Sequence, residues 1–274
     1  MILIADSGSS KTDWALVEKG NIKFYCTNGL NPFYTDYETI VSELKKLKID
    51  DFIKQIYFYG SGCANDEKNK IIELAISEVF PESRIFVNSD ILGAARGLLQ
   101  NKSGIAGIIG TGANNCLYDG NSIVYKGIAL GYILGDDGSG AHLGKELIRA
   151  VFFKELPGNI IDEFMSTYNL SKDILLKNVY NESFPNRYLA GFAPFLKNHE
   201  ENKDIIQIIN KCLSAYFEKQ IIKIPEYKKF RLSLTGSVAF HFSENIRNLA
   251  IKYSVDIHEI KQSPIEGLIE FHRQ

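Results

Sequence analysis

The apolar positions of the first hundred residues come in short runs, each stopped by small or polar residues. Ile2-Leu3-Ile4-Ala5 ends at Asp6, and residues 13–18 and 22–26 follow as two further strand-like runs, so this segment predicts a three-strand meander. Residues 36–48 change period, placing Ile40, Leu44 and Leu47 on one helical face. Gln55-Ile56-Tyr57-Phe58-Tyr59 reads as a buried strand stopped by Gly60-Ser61-Gly62. Residues 67–79 read as a helix with Ile71, Leu74, Ala75 and Val79 facing inward. Arg84-Ile85-Phe86-Val87 is a further strand, and a helix runs from Ile91 to Leu99. The order is β-β-β-α-β-α-β-α.

A related order then restarts. Strands are predicted at 105–109, 114–118 and 122–125, and Gly135-Asp136-Asp137-Gly138-Ser139-Gly140 opens a helix that reaches about residue 154. A helical stretch covers roughly 160–222, broken at Pro185 and Pro194. Residues 231–235 form a strand that runs into a tight Gly236-Ser237 turn. A helix at 238–251, a last strand at 255–260 and a short helix at 265–272 complete the chain. No low-complexity linker separates the two units, and the boundary falls near Asn101-Lys102-Ser103-Gly104. The expectation is an α/β protein of two domains, 1–102 and 103–263, with the terminal helix of about 264–274 packing back on the first. Such a chain bends about a cleft between its halves.

Composition narrows the classes of function. The chain has 274 residues, 45% hydrophobic and 23% charged, which is the profile of a globular protein. Its formal net charge is −2 and no basic stripe is visible, which argues against a nucleic-acid partner. No run approaches the length of a membrane span, and the N-terminal apolar run is short and lacks a basic flank, so a cytoplasmic location is expected. Cys26, Cys63, Cys116 and Cys212 are far apart and form no Cys-x-x-Cys pair. That spacing points to reduced thiols and away from a zinc or iron–sulfur site carried by one chain.

The candidate chemistry sits at strand ends. Asp6-Ser7-Gly8-Ser9-Ser10-Lys11-Thr12-Asp13 and Gly110-Thr111-Gly112-Ala113-Asn114 each follow an apolar strand and lead into another. Small residues there let backbone N–H groups approach phosphate oxygens, with Lys11 as a point charge, Thr12 as a hydroxyl and Asp6 as a carboxylate for Mg2+. Two such hairpins facing one another can grip one nucleotide triphosphate; the plain alternative is a pair of Gly/Ser turns. Gly236-Ser237 offers a strand–turn–helix surface for an adenine or ribose. Asp90, after Asn88-Ser89, is either a helix N-cap or a carboxylate that takes a proton from a substrate hydroxyl. Asp136 is either a helix cap or a ligand for vicinal sugar hydroxyls. Asn31, held extended by Pro32, is either a turn residue or an amide directed at the same cleft.

Taken together, these segments resemble the actin-like and hexokinase-type ATPase superfamily, and within it the N-acetylglucosamine kinase branch of the family that also holds the activator ATPases of acyl-CoA dehydratases. The resemblance spans nearly the whole chain and rests on the two phosphate loops, Asn31-Pro32, Ser89-Asp90, Gly135-Asp136-Asp137-Gly138-Ser139 and Leu234-Thr235-Gly236-Ser237. It implies two ribonuclease H-like domains with an interdomain cleft, ATP and Mg2+ as cofactors, and a small-molecule sugar as partner in a homodimer. It also implies roles: Gly8, Ser9, Ser10, Lys11, Thr12, Thr111 and Gly112 on phosphate, Gly236 and Ser237 under the adenosine, and Asp6 on the metal. Asp90 is then the base facing a sugar 6-hydroxyl, with Asn31, Asn114 and Asp136 on the sugar. The first loop departs from the Asp-Gly-Gly-Gly-Thr common among relatives, so Ser7 and Ser9 must tolerate the turn. The alternative reading is a partner-driving ATPase of the dehydratase-activator type, for which Cys63 is the one candidate cluster ligand.

Overall fold

The computed structural model describes residues 1–273; residue 274, the end of the expected terminal segment, lies outside the described residues. The first half is built from β1 (Ile2–Ser7), β2 (Lys11–Glu18), β3 (Asn21–Asn28), α1 (Tyr37–Lys45), β4 (Gln55–Gly60), α2 (Asp66–Val79), β5 (Arg84–Ser89) and α3 (Asp90–Leu99). The strands form one sheet in the order β3-β2-β1-β4-β5, antiparallel across the meander and parallel from β1 to β4 to β5. The second half repeats this arrangement. β6 (Gly104–Ile109), β7 (Ala113–Tyr118) and β8 (Ile123–Lys126) form the meander, and β9 (Leu232–Thr235) and β10 (Ile257–Lys261) pair in parallel beyond β6.

The long insertion between β8 and β9 is helical: α4 (Gly131–Leu134), α5 (Gly140–Phe152), α6 (Gly158–Tyr168), α7 (Lys172–Tyr180), α8 (Pro185–Ala190), α9 (Ala193–Asn198) and α10 (Lys203–Lys219). Pro185 is the first residue of α8 and Pro194 the second of α9, so they start helices rather than interrupt one. The stop that the apolar pattern hides is Asn169, in the left-handed region at φ 43°. The predicted helix at 238–251 is two, α11 (Ser237–His241) and α12 (Ser243–Lys252), and α13 (Ile265–Arg273) ends the chain. In α2 the buried face is Ile72, Ala75 and Ile76; Leu74, expected inward, is exposed.

Four apolar clusters hold the sheets apart in a way that positions the cleft. α1 and α2 cover one face of the first sheet through Ile40, Leu44, Ile72 and Ile76 packed on Leu3, Ala5 and Phe58. Its other face carries α13, with Ile265, Leu268 and Ile269 against Ile4, Ala15, Val17 and Tyr59. α3 lies against the second sheet, where Ile91, Ala94, Ala95 and Leu98 meet Ala106, Cys116 and Tyr118. The largest cluster joins the far face of that sheet to the helices of the insertion. α3 and α13 cross at two glycines: a Cβ on Gly267 would stand 1.8 Å from Gly97 O, so this approach needs hydrogen at that position. Between the sheets the C-terminal ends of β1, β4, β5, β6 and β9 open on a common space.

Candidate active site

The first loop is shaped from behind. Asp6 pairs with Asp13 and Ser7 with Thr12 across β1 and β2, and Gly8 N donates to Lys11 O at 2.9 Å to close the turn. Ser7 and Thr12 are fully buried, their hydroxyl oxygens 2.8 Å apart. Ser7 Oγ accepts from Leu30 N at 3.1 Å, and Thr12 Oγ1 donates to Asn28 O at 3.0 Å. Ser7 therefore ends the strand instead of entering the turn. Thr12 spends its hydroxyl inside the fold and does not reach the cleft wall. Gly29 N donates to Ser10 O at 3.1 Å, and a Cβ on Gly29 would fall 2.4 Å from Gly8 O and 2.5 Å from Ser9 O. Only glycine permits the loop to be backed so closely.

The second loop is held by the helix that follows it. Gly110 N donates to Gly112 O at 2.9 Å, and Gly140 N and Ala141 N donate to Gly110 O at 2.8 Å and Thr111 O at 3.1 Å. Ser139 caps α5 by accepting from His142 N at 3.2 Å, so neither Asp136 nor Asp137 is the cap. Asp137 pairs with Lys219 at 2.9 Å. Asp136 occupies the left-handed region at φ 54° and accepts from Ala113 N at 3.2 Å, which ties its carboxylate to the second loop. Gly236, at φ 113°, turns β9 into α11; a Cβ there would fall 2.4 Å from Ile109 O.

The tips of the two loops meet. Ser10 Oγ and Thr111 Oγ1 are 3.0 Å apart, and a cavity opens on each side of this contact. The larger, about 630 Å³, is walled by Asp6, Gly8, Ser9, Ser10, Lys11 and Asn31 from the first half. Asp90 completes that side, and Thr111, Gly112, Asn114, Asp136, Gly236 and Ser237 come from the second half. The smaller, about 440 Å³, shares Ser10, Thr111 and Ser237 and continues between Ala190, Pro194, Val238 and Phe242. Every residue singled out from the sequence except Thr12 lies on these walls. Asn31 Oδ1 accepts from Phe33 N at 2.9 Å, and Asn114 Oδ1 from Asn115 N at 2.9 Å, which fixes how each amide is presented.

Three carboxylates of the larger cavity, Asp6, Asp90 and Asp136, are shifted in one direction. Burial, with Asp13 and Asp90 as like-charged neighbours, raises Asp6 from 3.8 to about 7, while Ser263 Oγ donates to its Oδ2 at 3.3 Å. Asp90 is the first helical residue of α3, with Ser89 in the capping position; its Oδ1 accepts from Ile91 N at 2.7 Å. Burial raises its pKa as well, opposed by that N–H and by Lys126. Asp136 is likewise raised by burial. Among the described residues no three His, Cys, Asp or Glu side chains group as a complete metal site. Asp6, and Asp13 opposed to it across the hairpin, suit a Mg2+ that takes one or two carboxylates and completes its shell with phosphate and water.

Several wall residues escape a linear reading. Asp13 is legible in retrospect, because a turn at 8–11 places it opposite Asp6. Lys126 ends β8, and nothing in its apolar surroundings marks it as a cleft cation. Asn186 and Arg187 arrive from the insertion and Ser263 from the turn between β10 and α13, where no local motif signals a site. Cys63 is buried and lines the cavity, and burial pushes its thiol up to about 12. That favours the protonated thiol over the thiolate a cluster ligand must supply.

Two sheets of identical order, each offering a phosphate-sized hairpin loop to a shared cleft, define an actin-like ATPase fold with two ribonuclease H-like domains. Comparison with solved structures agrees. A protein from Porphyromonas gingivalis, provisionally assigned as an N-acetylglucosamine kinase, superposes with a TM-score of 0.94 at 36% identity, covering 99% of this chain and 98% of the other. The chain belongs to that family, the N-acetylglucosamine kinase-like branch of the superfamily. A second provisionally assigned N-acetylglucosamine kinase, from Chromobacterium violaceum, aligns at TM-score 0.77 and 14% identity over 98% of both chains. The ethanolamine utilization protein EutJ from Carboxydothermus hydrogenoformans aligns at 0.58 and 13% over 96% of this chain and 85% of its own. These last two share the fold. No protein-family model and no curated protein matches the sequence. Among the described residues, no helix is long and apolar enough to cross a membrane.

Proposed function

We propose that this protein is a sugar kinase that transfers the γ-phosphoryl group of ATP to the 6-hydroxyl of N-acetylglucosamine or a related amino sugar. The observation that carries the reading is the meeting of the two loops between two cavities, with the Asp90 carboxylate on the wall of the larger one. The adenosine occupies the smaller cavity, beside Ser237 and Val238, with Gly236 turning the chain into that wall. The phosphates pass between the backbone N–H groups and hydroxyls of Gly8, Ser9, Ser10, Lys11, Thr111 and Gly112. The sugar occupies the larger cavity, held by Asn31, Asn114 and Asp136. We infer that residues 1–102 and 103–263 act as two domains that close on these ligands.

Asp90 accepts the proton of the sugar hydroxyl as that oxygen bonds to the γ-phosphorus. The bond from phosphorus to the β–γ bridging oxygen breaks, and ADP leaves. The loose transition state of phosphoryl transfer asks little basicity of Asp90, so its main contribution is to aim the hydroxyl. Orientation of this kind is worth roughly 7–11 kcal/mol. Asn31 and Asn114 contribute amide groups whose rotation is already fixed by Phe33 N and Asn115 N. Asp6 would hold a Mg2+ ion, which would supply neutralisation of the phosphate charge. The test is ADP release across a panel of hexoses and N-acetylhexosamines, with and without Mg2+. Release that requires an N-acetylhexosamine supports the reading. Equal release without any sugar overturns it in favour of a partner-driven ATPase.

A further inference from the structure

The basic side chains on the cavity walls are not equivalent. Lys11 is paired with Asp13 at 2.7 Å, and Lys197 with Glu200 at 2.6 Å. Lys126 is exposed at the end of β8. Arg187 differs from all three: it has no carboxylate partner among the described residues, and its Nε is buried without any hydrogen-bond partner. It lies on the wall of the smaller cavity with Ser10, Thr111 and Ser237. Its Nη2 reaches across to Gly29 O at 3.5 Å, and Gly29 is the residue that backs the first phosphate loop. An arginine of the second half thus stands over the loop of the first half, beside the point where the loops touch.

The fold maintains this position at a cost. The guanidinium is seated 3.9 Å above the Phe184 ring. Phe184 itself sits in the left-handed region at φ 60°, a conformation unfavourable for an aromatic residue and more so before a proline, here Pro185. Burial also lowers the pKa of Arg187, so its charge is desolvated without compensation from the protein. The neighbouring Asn186 is 7% exposed and lines the larger cavity, and its Oδ1 too is buried without a partner. Both residues line the adjoining cavities, and a desolvated guanidinium with no carboxylate partner on such a wall suits an anionic ligand.

We propose that Arg187 is a third phosphate-binding element, closing its guanidinium fork on the nucleotide's phosphate chain where that chain passes between Ser10 and Thr111. The inference rests on the nucleotide reading given above and adds a residue to neither hairpin loop. A planar fork suits paired phosphate oxygens, and charge-assisted bonds of this type are the strong ones. Because Arg187 also reaches the first half of the chain, phosphate capture at this point is coupled to closure of the cleft.

The test compares binding of a non-hydrolysable ATP analogue, ADP, inorganic tripolyphosphate and adenosine by calorimetry to the wild type, Arg187→Gln and Arg187→Lys. Affinity for the three phosphate-bearing probes is expected to fall about 10-fold or more in Arg187→Gln, with adenosine unchanged and Arg187→Lys intermediate. If Arg187→Gln binds tripolyphosphate and ADP as the wild type does, Arg187 is not a phosphate ligand. Loss of adenosine binding in step with the phosphates would assign Arg187 a packing role only and equally overturn the proposal. Should Arg187→Gln fail to fold, the charge-preserving Arg187→Lys carries the same comparison. A wild type that binds none of the four probes contradicts the nucleotide reading itself, which separates that failure from this one.

Discussion

Ser10 Oγ and Thr111 Oγ1 lie 3.0 Å apart although 101 residues separate them. Each hydroxyl stands at the tip of a hairpin loop, one from each sheet, so this contact marks where the two halves converge. A hydrogen bond between exposed hydroxyls is worth little to stability. Its position next to the proposed phosphate path matters more. Thr111→Val is expected to leave the melting temperature nearly unchanged and to lower kcat/KM for ATP about 10-fold, the usual loss for one phosphate-directed hydroxyl. Steady-state kinetics with ATP varied at saturating sugar measures it.

Asp90 is expected to act in the chemical step and not in nucleotide capture. Asp90→Asn keeps the shape and the hydrogen bond from Ile91 N but removes the proton acceptor. Turnover should fall about 100-fold or more while the affinity for an ATP analogue stays near that of the wild type. Paired measurements of kcat and analogue binding separate the two effects.

The raised Asp6 carboxyl makes stability depend on pH with a definite sign. The unfolded chain releases this proton near the ordinary value of 3.8, the folded protein at about 7. Between those values the folded state binds the extra proton, so its stability is greatest at the acid end and declines as pH rises toward about 7. Asp6→Asn should therefore melt closest to the wild type at about pH 4 and clearly higher than the wild type at about pH 8, in the absence of ligands. The extra stabilisation that Mg2+ adds to nucleotide should be larger for the wild type at the higher pH and be lost in the variant. Thermal melts at the two pH values check both statements.

The glycine crossing of α3 and α13 gives a prediction independent of function. A Cβ at Gly267 would lie 1.8 Å from Gly97 O, and the contact is backbone, which cannot step aside. Gly267→Ala should force the helices apart and destabilise the protein by about 1–3 kcal/mol. Urea denaturation of the variant and the wild type measures the difference.

Much of the fold is legible because its two meanders alternate strand and turn within short stretches, as at Ile2–Ser7 and Gly104–Ile109. The insertion is less so. Asn169 stops a helix with backbone alone, and Pro185 and Pro194 begin helices that the proline rule would end there. The loops themselves are readable from small residues after a strand. What a linear reading misses is which side a side chain takes: Thr12 turns inward to Asn28 O, Ser7 serves Leu30 N, and Leu74 turns out. Asn186 and Arg187 come to the cleft from an insertion with no local signature, by tertiary packing alone.

The central claim is phosphoryl transfer to a primary sugar alcohol within this cleft. Phosphorus NMR of the reaction of ATP with N-acetylglucosamine tests it most directly. A phosphomonoester coupled to the two protons of carbon 6 is expected, formed at a rate lower by about 100-fold or more when Asp90→Asn replaces the wild type. Inorganic phosphate and ADP with no ester, or an ester coupled to a ring proton, would contradict it.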